Sequence, residues 1–138
     1  MWEEYAHDTL VQLVKYSGVS VVNALSDLEH PTQIISDFLT IIEKEGKLEG
    51  LTLACIGDGD NVCNSLLLEA ALAGTNMNAA CPEEYDPDAA ILAKAQSLAK
   101  ENGAKLAVTR KPKQSRAQTC CTLMFGSAWE KTRSGRRE

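Results

Sequence analysis

Residues 51–64, L-T-L-A-C-I-G-D-G-D-N-V-C-N, start as an uncharged apolar run, break at two glycines and resume with apolar residues at helical spacing. A run this short and continuous predicts a strand of a parallel sheet covered on both faces, because a half-exposed strand would alternate. Gly57 and Gly59 permit a sharp turn, Leu66, Leu67, Ala70, Ala71 and Ala73 supply an apolar helical stripe, and Gly74 is placed to end it. Strand, tight turn and helix in this order restrict the chain to an α/β architecture, in which ligands sit beyond the carboxyl ends of the strands. Asp58, Asp60 and Asn61 fall there.

The same alternation extends to both sides. Residues 8–16 place Leu10, Leu13 and Val14 on one helical face, with Asp8 as the expected N-cap and Gly18 as the stop. Residues 19–25, V-S-V-V-N-A-L, predict a buried strand, being β-branched, short and uncharged. A helix is expected from Pro31, since proline fits the first turn, and it carries Ile34, Ile35, Phe38, Leu39, Ile41 and Ile42. Strands at 76–80 and 105–109 flank a helix capped by the D-P-D of 86–88 and ended by Gly103. The expected fold is α/β, a doubly wound, Rossmann-like parallel sheet in one partial domain over 1–110. Beyond Lys111 no period of 2 or 3.6 persists, so 111–138 reads as an irregular, disordered basic tail.

A net charge of -5 and a pI near 5.1 argue against nucleic-acid and membrane-surface partners, which favour a basic face. No apolar segment approaches the roughly 20 residues that span a bilayer, and a cytoplasmic setting is the expectation. The five cysteines form no C-x-x-C pair and are expected to be reduced thiols rather than zinc ligands.

The Gly-Asp-Gly turn does not make a dinucleotide site, because Val62 stands where G-x-G-x-x-G needs glycine and two carboxylates would face a pyrophosphate. It does not make a calcium loop either, since Val62 and Cys63 replace an oxygen ligand and a glycine. Asp60 or Asn61 can serve simply as the helix cap. His30 and Gln33 lie one turn apart at a helix start, where backbone N–H groups favour an anion or a polarised carbonyl. A neutral imidazole there can donate a hydrogen bond to a carbonyl oxygen that gains charge during attack. A capping or plain surface role for His30 accounts for the same spacing.

The segment N-A-L-S-D-L-E-H-P-T-Q at 23–33 resembles the N-G-L-S-D-x-x-H-P-x-Q motif of ornithine carbamoyltransferases, and L-T-L-A-C-I-G-D-G-D-N at 51–61 resembles their L-T-L-x-W-I-G-D-G-N-N. The A-C-P of 80–82, the Y-D-P-D of 85–88 and the A-K-E-N-G-A-K of 99–105 follow in the family's order. The resemblance implies the ornithine-binding half of an enzyme that makes citrulline and phosphate from carbamoyl phosphate and L-ornithine. Such enzymes are typically homotrimers and use no metal or organic cofactor. By position, His30 and Gln33 would contact the carbamoyl group and Asn61 the amino-acid end of ornithine, with His30 the catalytic residue. Asp60 stands where the family has the first of two asparagines, which leaves its substrate role open.

The family's S-T-R-T phosphate grip, its H-C-L-P loop and its D-x-x-x-S-M-G loop have no counterpart in this sequence. The chain is therefore expected to be inactive alone. The alternatives are a non-catalytic amino-acid-binding module of the same fold and a non-functional gene fragment. Read one base out of frame with suitable synonymous codons, residues 120–130 become V-L-Y-T-D-V-W-V-S-M-G, close to the missing loop. The tail is accordingly expected to be frame-shifted from a slip between about 110 and 114.

Overall fold

The computed structural model describes residues 6–110 and 120–123. Its helices are α1 (His7–Ser17), α2 (Pro31–Glu45), α3 (Asn61–Leu72) and α4 (Ala89–Asn102), and its strands are β1 (Thr52–Ile56), β2 (Asn76–Ala80), β3 (Leu106–Thr109) and β4 (Cys120–Leu123). The strands form one parallel sheet in the order β3-β2-β1-β4. The sheet grows outward from β1 to β3, and β4 lies on the opposite side of β1. This reversal is the doubly wound pattern expected from the sequence, and it puts a topological switch point between β1 and β4.

Burial explains why β1 is central. Leu53, Ala54 and Cys55 are buried in succession, as a strand covered on both faces requires. Leu53 and Cys55 share a core with Met77 and Ala79 of β2, Leu67 of α3, and Ile34, Phe38 and Ile41 of α2. Each of the larger side chains contributes about 1.5–3 kcal/mol by leaving water. Helix α2 begins with proline in its first turn and closes at Gly46 in the left-handed region. Helix α4 is capped by Asp88, whose carboxylate accepts from the N–H groups of Ala90 and Ile91.

Three expectations change. Residues 19–25 are not a strand, because none of the four strands lies beside them and a strand exists only by pairing; Val19 and Val22 are 68% and 80% exposed. Asp8 does not cap α1: Ala6 holds the cap position without a side-chain bond, and Asp8 sits in the first turn. Within the segment read as irregular, residues 120–123 pair with β1 in parallel, from Leu53 opposite Cys120 to Ile56 opposite Leu123. Backbone pairing makes a strand there without a side-chain period to announce it. The expected disorder of the remaining tail, 111–119 and 124–138, lies outside the described residues.

The turn after β1 is closed by a backbone-to-backbone fit. Gly57 has φ 147. The Gly59 N–H donates to the Tyr85 carbonyl at 2.8 Å. A Cβ on residue 59 would come within 2.1 Å of the Pro87 nitrogen. Gly59→Ala should therefore destabilise the domain by about 3 kcal/mol through overpacking. Gly103→Ala, at φ 74 but with open space around its Cβ, should cost only about 1 kcal/mol of backbone strain. Urea midpoints of the two variants check this, and equal midpoints would refute the close approach.

Candidate functional site at the first turn of α3

The start of α3 carries Asn61, Asn64 and Ser65, at i, i+3 and i+4, on one face of a helix whose other residues, Glu69 apart, are apolar. Each side chain holds the loop that leads into α2. Asn61 Nδ2 donates to the Ser26 carbonyl at 2.7 Å, Asn64 Nδ2 donates to the Leu28 carbonyl at 3.1 Å, and Ser65 Oγ accepts from the His30 N–H at 2.8 Å. Asn64 Oδ1 also accepts from the Asp88 N–H at 3.0 Å, joining the same point to the start of α4. Asn64 and Ser65 are buried, so an unmade bond here would leave a desolvated polar group without a partner. From its other side the loop folds around Ser26 Oγ, which accepts from the Glu29 N–H and from Asn23 Nδ2 and lies 3.1 Å from His7 Nδ1.

These bonds bring His30 and Asn61 to the same edge of the sheet, beyond the carboxyl end of β1. His30 holds the N-cap position of α2, half-buried, with no side-chain cap bond, and its Nδ1 lies 3.5 Å from Thr32 Oγ1. The imidazole is therefore not used as a cap, whereas Asp60 is. The Asp60 carboxylate accepts from the Val62 and Cys63 N–H groups at 3.1 and 3.3 Å. Gln33 is exposed and turns its amide along α2, donating to Asp37 Oδ1 at 2.9 Å.

Burial raises the Asp60 carboxyl above its ordinary value, against the lowering effect of the two helix N–H groups, and the nearby Asp58 charge pushes the same way as burial. Beneath the turn, Cys55, Cys63 and Cys81 are buried free thiols. The neighbouring thiols of Cys55 and Cys81, together with burial, push the Cys63 thiol up and keep it protonated.

Sequence reasoning missed Ser26, Asn64, Ser65 and Arg110. The signal for Asn64 and Ser65 was polar side chains spaced with Asn61 to share one helical face, whereas Ser26, in the loop before α2, carries no such spacing. Arg110 reads as the start of a basic tail, yet it bonds both Asp86 carboxylate oxygens, at 2.5 and 2.6 Å, and the carbonyls of Cys81 and Pro82. It thereby holds the loop whose backbone lies on Gly59, and its guanidinium keeps the Asp86 carboxyl below the usual carboxylate range.

Residues 49–130 match the family model described as aspartate/ornithine carbamoyltransferase, Asp/Orn binding domain, which is more than half of the chain. This chain belongs to that family. Residues 1–43 match the companion model, the carbamoyl-P binding domain. The first match ends in the last turn of α2 and the second begins just after that helix, so the segment read from sequence as one ornithine-binding unit, 1–110, is matched in two parts. His30 and Gln33 fall in the carbamoyl-P part and Asn61 in the Asp/Orn part. The chain is 50% identical over 124 residues to the ornithine carbamoyltransferase of Methanosarcina mazei, covering 90% of this chain and 39% of that protein. It is 42% identical to that of Listeria innocua, covering 94% of this chain and 40% of that protein. The crystal structure of ornithine carbamoyltransferase from Gloeobacter violaceus superposes with a TM-score of 0.87 at 39% identity, over 91% of this chain and 44% of that one. The Pyrococcus furiosus enzyme gives 0.87 at 32%, over 96% and 43%. The chain thus spans about two fifths of the length of the relatives it matches.

Two outcomes test this geometry. Asn64→Leu leaves the Leu28 carbonyl and the Asp88 N–H unbonded and should cost about 3 kcal/mol in urea unfolding, with faster amide exchange at 26–30. Unchanged stability would show that the two bonds carry no weight. For Asp60, a folded pKa raised above the unfolded 3.8 means that its stabilising share is complete below 3.8 and is lost as pH rises through the folded value. Asp60→Asn caps equally well and removes that loss. Its stability advantage over the native chain should therefore grow from pH 3.5 to pH 7, and an advantage that shrinks with pH would refute the desolvated carboxyl.

Proposed function

We propose that this chain supplies the ornithine-binding half of an ornithine carbamoyltransferase active site, together with the residues that receive the carbamoyl group. One observation carries the reading: His30 and Asn61, drawn from the two matched segments, are held at one sheet edge by the His30–Ser65 and Asn61–Ser26 hydrogen bonds. That edge adjoins the switch point where open α/β sheets take their ligands. In the reaction, the δ-amino group of L-ornithine attacks the carbamoyl carbon of carbamoyl phosphate and phosphate leaves. The His30 imidazole donates to the carbamoyl oxygen as it gains charge, a contribution of about 3–4 kcal/mol to the barrier where such a donor is removed. Gln33 orients the carbamoyl group once its amide leaves Asp37, and Asn61 meets the amino-acid end of ornithine. Asp60 contributes by capping α3 rather than by touching substrate.

No S-T-R-T stands in this sequence, so the leaving phosphate has no grip here and the chain alone does not turn over. The proposal carries with it a homotrimeric parent enzyme without metal or organic cofactor, working in the cytoplasm on arginine or urea metabolism. The second reading is an amino-acid-binding module of the same fold without catalysis, favoured by the lack of an S-T-R-T in this sequence. The tail completes the proposal as the family's ornithine loop read out of frame. Its support is that Cys120–Leu123 pairs in the sheet where the shifted codons also spell a strand. Sequencing the bases for 114–130 tests it, and codons that do not yield D-x-x-x-S-M-G when shifted would end it.

The purified chain should form no citrulline above background from carbamoyl phosphate and ornithine. L-ornithine should instead shift the amide resonances of Asn61 and His30 with a dissociation constant on the order of 1 mM, about 4 kcal/mol of binding. Turnover that disappears in His30→Ala would overturn the inactivity, and an unchanged spectrum at saturating ornithine would overturn the site.

A further inference from the structure

Alternation along paired strands sorts the sheet residues by face. Leu53 and Cys55 of β1 lie opposite Met77 and Ala79 of β2, and Cys81, two residues beyond Ala79, follows on the same face. That face packs against Cys63 and Leu67 of α3 in one core. Three thiols from three places in the chain are thereby collected beneath the turn that carries Asp58 to Asn61. All three are free and buried, Cys55 at 1%, Cys63 at 0% and Cys81 at 2% exposure. The Cys63 thiol neighbours both of the others. Cys55 and Cys81 sit diagonally across β1 and β2, roughly 8 Å apart at their α-carbons from strand spacing and rise, which is beyond the reach of a disulfide. Cys63 is therefore the partner open to either. Cys55 is held in the central strand, paired on both sides, whereas Cys81 lies just past the last β1–β2 pair, Ile56 opposite Ala80, and opens the loop that leads to α4. The hydrogen bond from Cys63 lowers the Cys81 thiol below its ordinary value, outweighing burial, and the Arg110 charge acts in the same direction.

We propose that Cys63 and Cys81 are an oxidisable pair, which a peroxide converts into a disulfide tying the first turn of α3 to the end of β2. With hydrogen peroxide, the Cys81 sulfur attacks one oxygen, the O–O bond breaks, and the other oxygen leaves as water with the Cys81 proton, giving a sulfenic acid. The Cys63 sulfur then attacks the Cys81 sulfur, the S–O bond breaks, and hydroxide leaves as water with the Cys63 proton. Over both steps the two thiols lose two electrons and two protons, and the peroxide is reduced to two waters. A thiol reductant reverses the bridge by exchange. Access is set by the loop after Cys81. Arg110 clamps it by donating to the Cys81 carbonyl at 3.3 Å and by pairing with Asp86, and an exposed pair of this kind is weak enough to open often. The bridge reaches the functional site through Cys63, whose N–H donates to the Asp60 cap at 3.3 Å and whose neighbour in the chain is Asn64. Drawing Cys63 towards β2 shifts the turn that holds Asn61.

In the test, the full 138-residue chain, reduced and freed of reductant, is treated with excess hydrogen peroxide under native conditions. Its remaining thiols are alkylated and it is cut after acidic residues, which places Cys55, Cys63 and Cys81 on separate peptides. A bridge between the Cys63 and Cys81 peptides should form, and dithiothreitol should remove it. Cys63→Ala should halt at the Cys81 sulfenic acid, which dimedone captures. Arg110→Ala should speed bridge formation about threefold. Loss of the Arg110 charge would by itself raise the Cys81 thiol and slow the attack, so the gain reports access. Free Cys63 and Cys81 after treatment, a bridge to Cys55 in their place, or an Arg110→Ala rate no faster than the native one would each overturn the proposal. Bridging should also move the amide resonances of Asn61 and Asn64, and unmoved resonances would overturn the link to the site. A ligand readout rests on the functional reading above: the bridged chain should bind L-ornithine about fivefold more weakly than the reduced chain. Equal binding overturns the link to the site, whereas a reduced chain that binds no ornithine sinks the functional reading and leaves the bridge standing.

Discussion

The side chain of Asn64 is the point on which the architecture turns. It is buried, and it reaches the loop before α2 through the Leu28 carbonyl and the start of α4 through the Asp88 N–H. Apolar packing can bring three helices together, but it is non-directional and leaves their rotation and register open. A buried amide that must satisfy both its donor and its acceptor removes that freedom, since other arrangements leave desolvated polar groups behind. Asn61 and Ser65 extend the same constraint along the loop, fixing every second residue from Ser26 to His30.

The turn after β1 is held by the opposite kind of interaction, backbone against backbone with no side chain between. Gly59 lies so close to Asp86 and Pro87 that only hydrogen fits at its α-carbon. Arg110 secures the loop from outside by binding Asp86 and two carbonyls. That ion pair is exposed and screened, so its value lies in the geometry it selects more than in stability. Between the amide joint on one side and the glycine contact on the other, the Asp58–Asn61 segment is positioned relative to both α2 and β2. A site assembled on such a rigid frame needs little reorganisation when substrate arrives.

The two family matches divide the chain at the end of α2. His30 opens a helix whose inner face belongs to the core it shares with β1 and α3, while its outer face remains apolar and exposed.

The sequence by itself determined the parallel α/β class, the turn at Gly57 and Gly59, the proline start of α2, the Asp88 cap and the glycine stop of α4. Each follows from local chemistry: hydrophobic period, a fixed or permissive φ, or a short polar side chain beside free N–H groups. It also brought His30, Gln33, Asp60 and Asn61 forward, through their places at a helix start and beyond a strand end and then through motif resemblance. Tertiary structure decided what local signals cannot contain. A strand is a property of a pair, so 19–25 with strand composition stayed unpaired while 120–123 with none was recruited beside β1. The uses of Asn64, Ser65 and Arg110 depend on partners 24 to 36 residues away, a separation at which spacing within one element says nothing. Which of Asp60 and Asn61 caps α3 was also left open by the sequence: the Asp60 carboxylate takes the Val62 and Cys63 N–H groups while Asn61 reaches the distant Ser26 carbonyl.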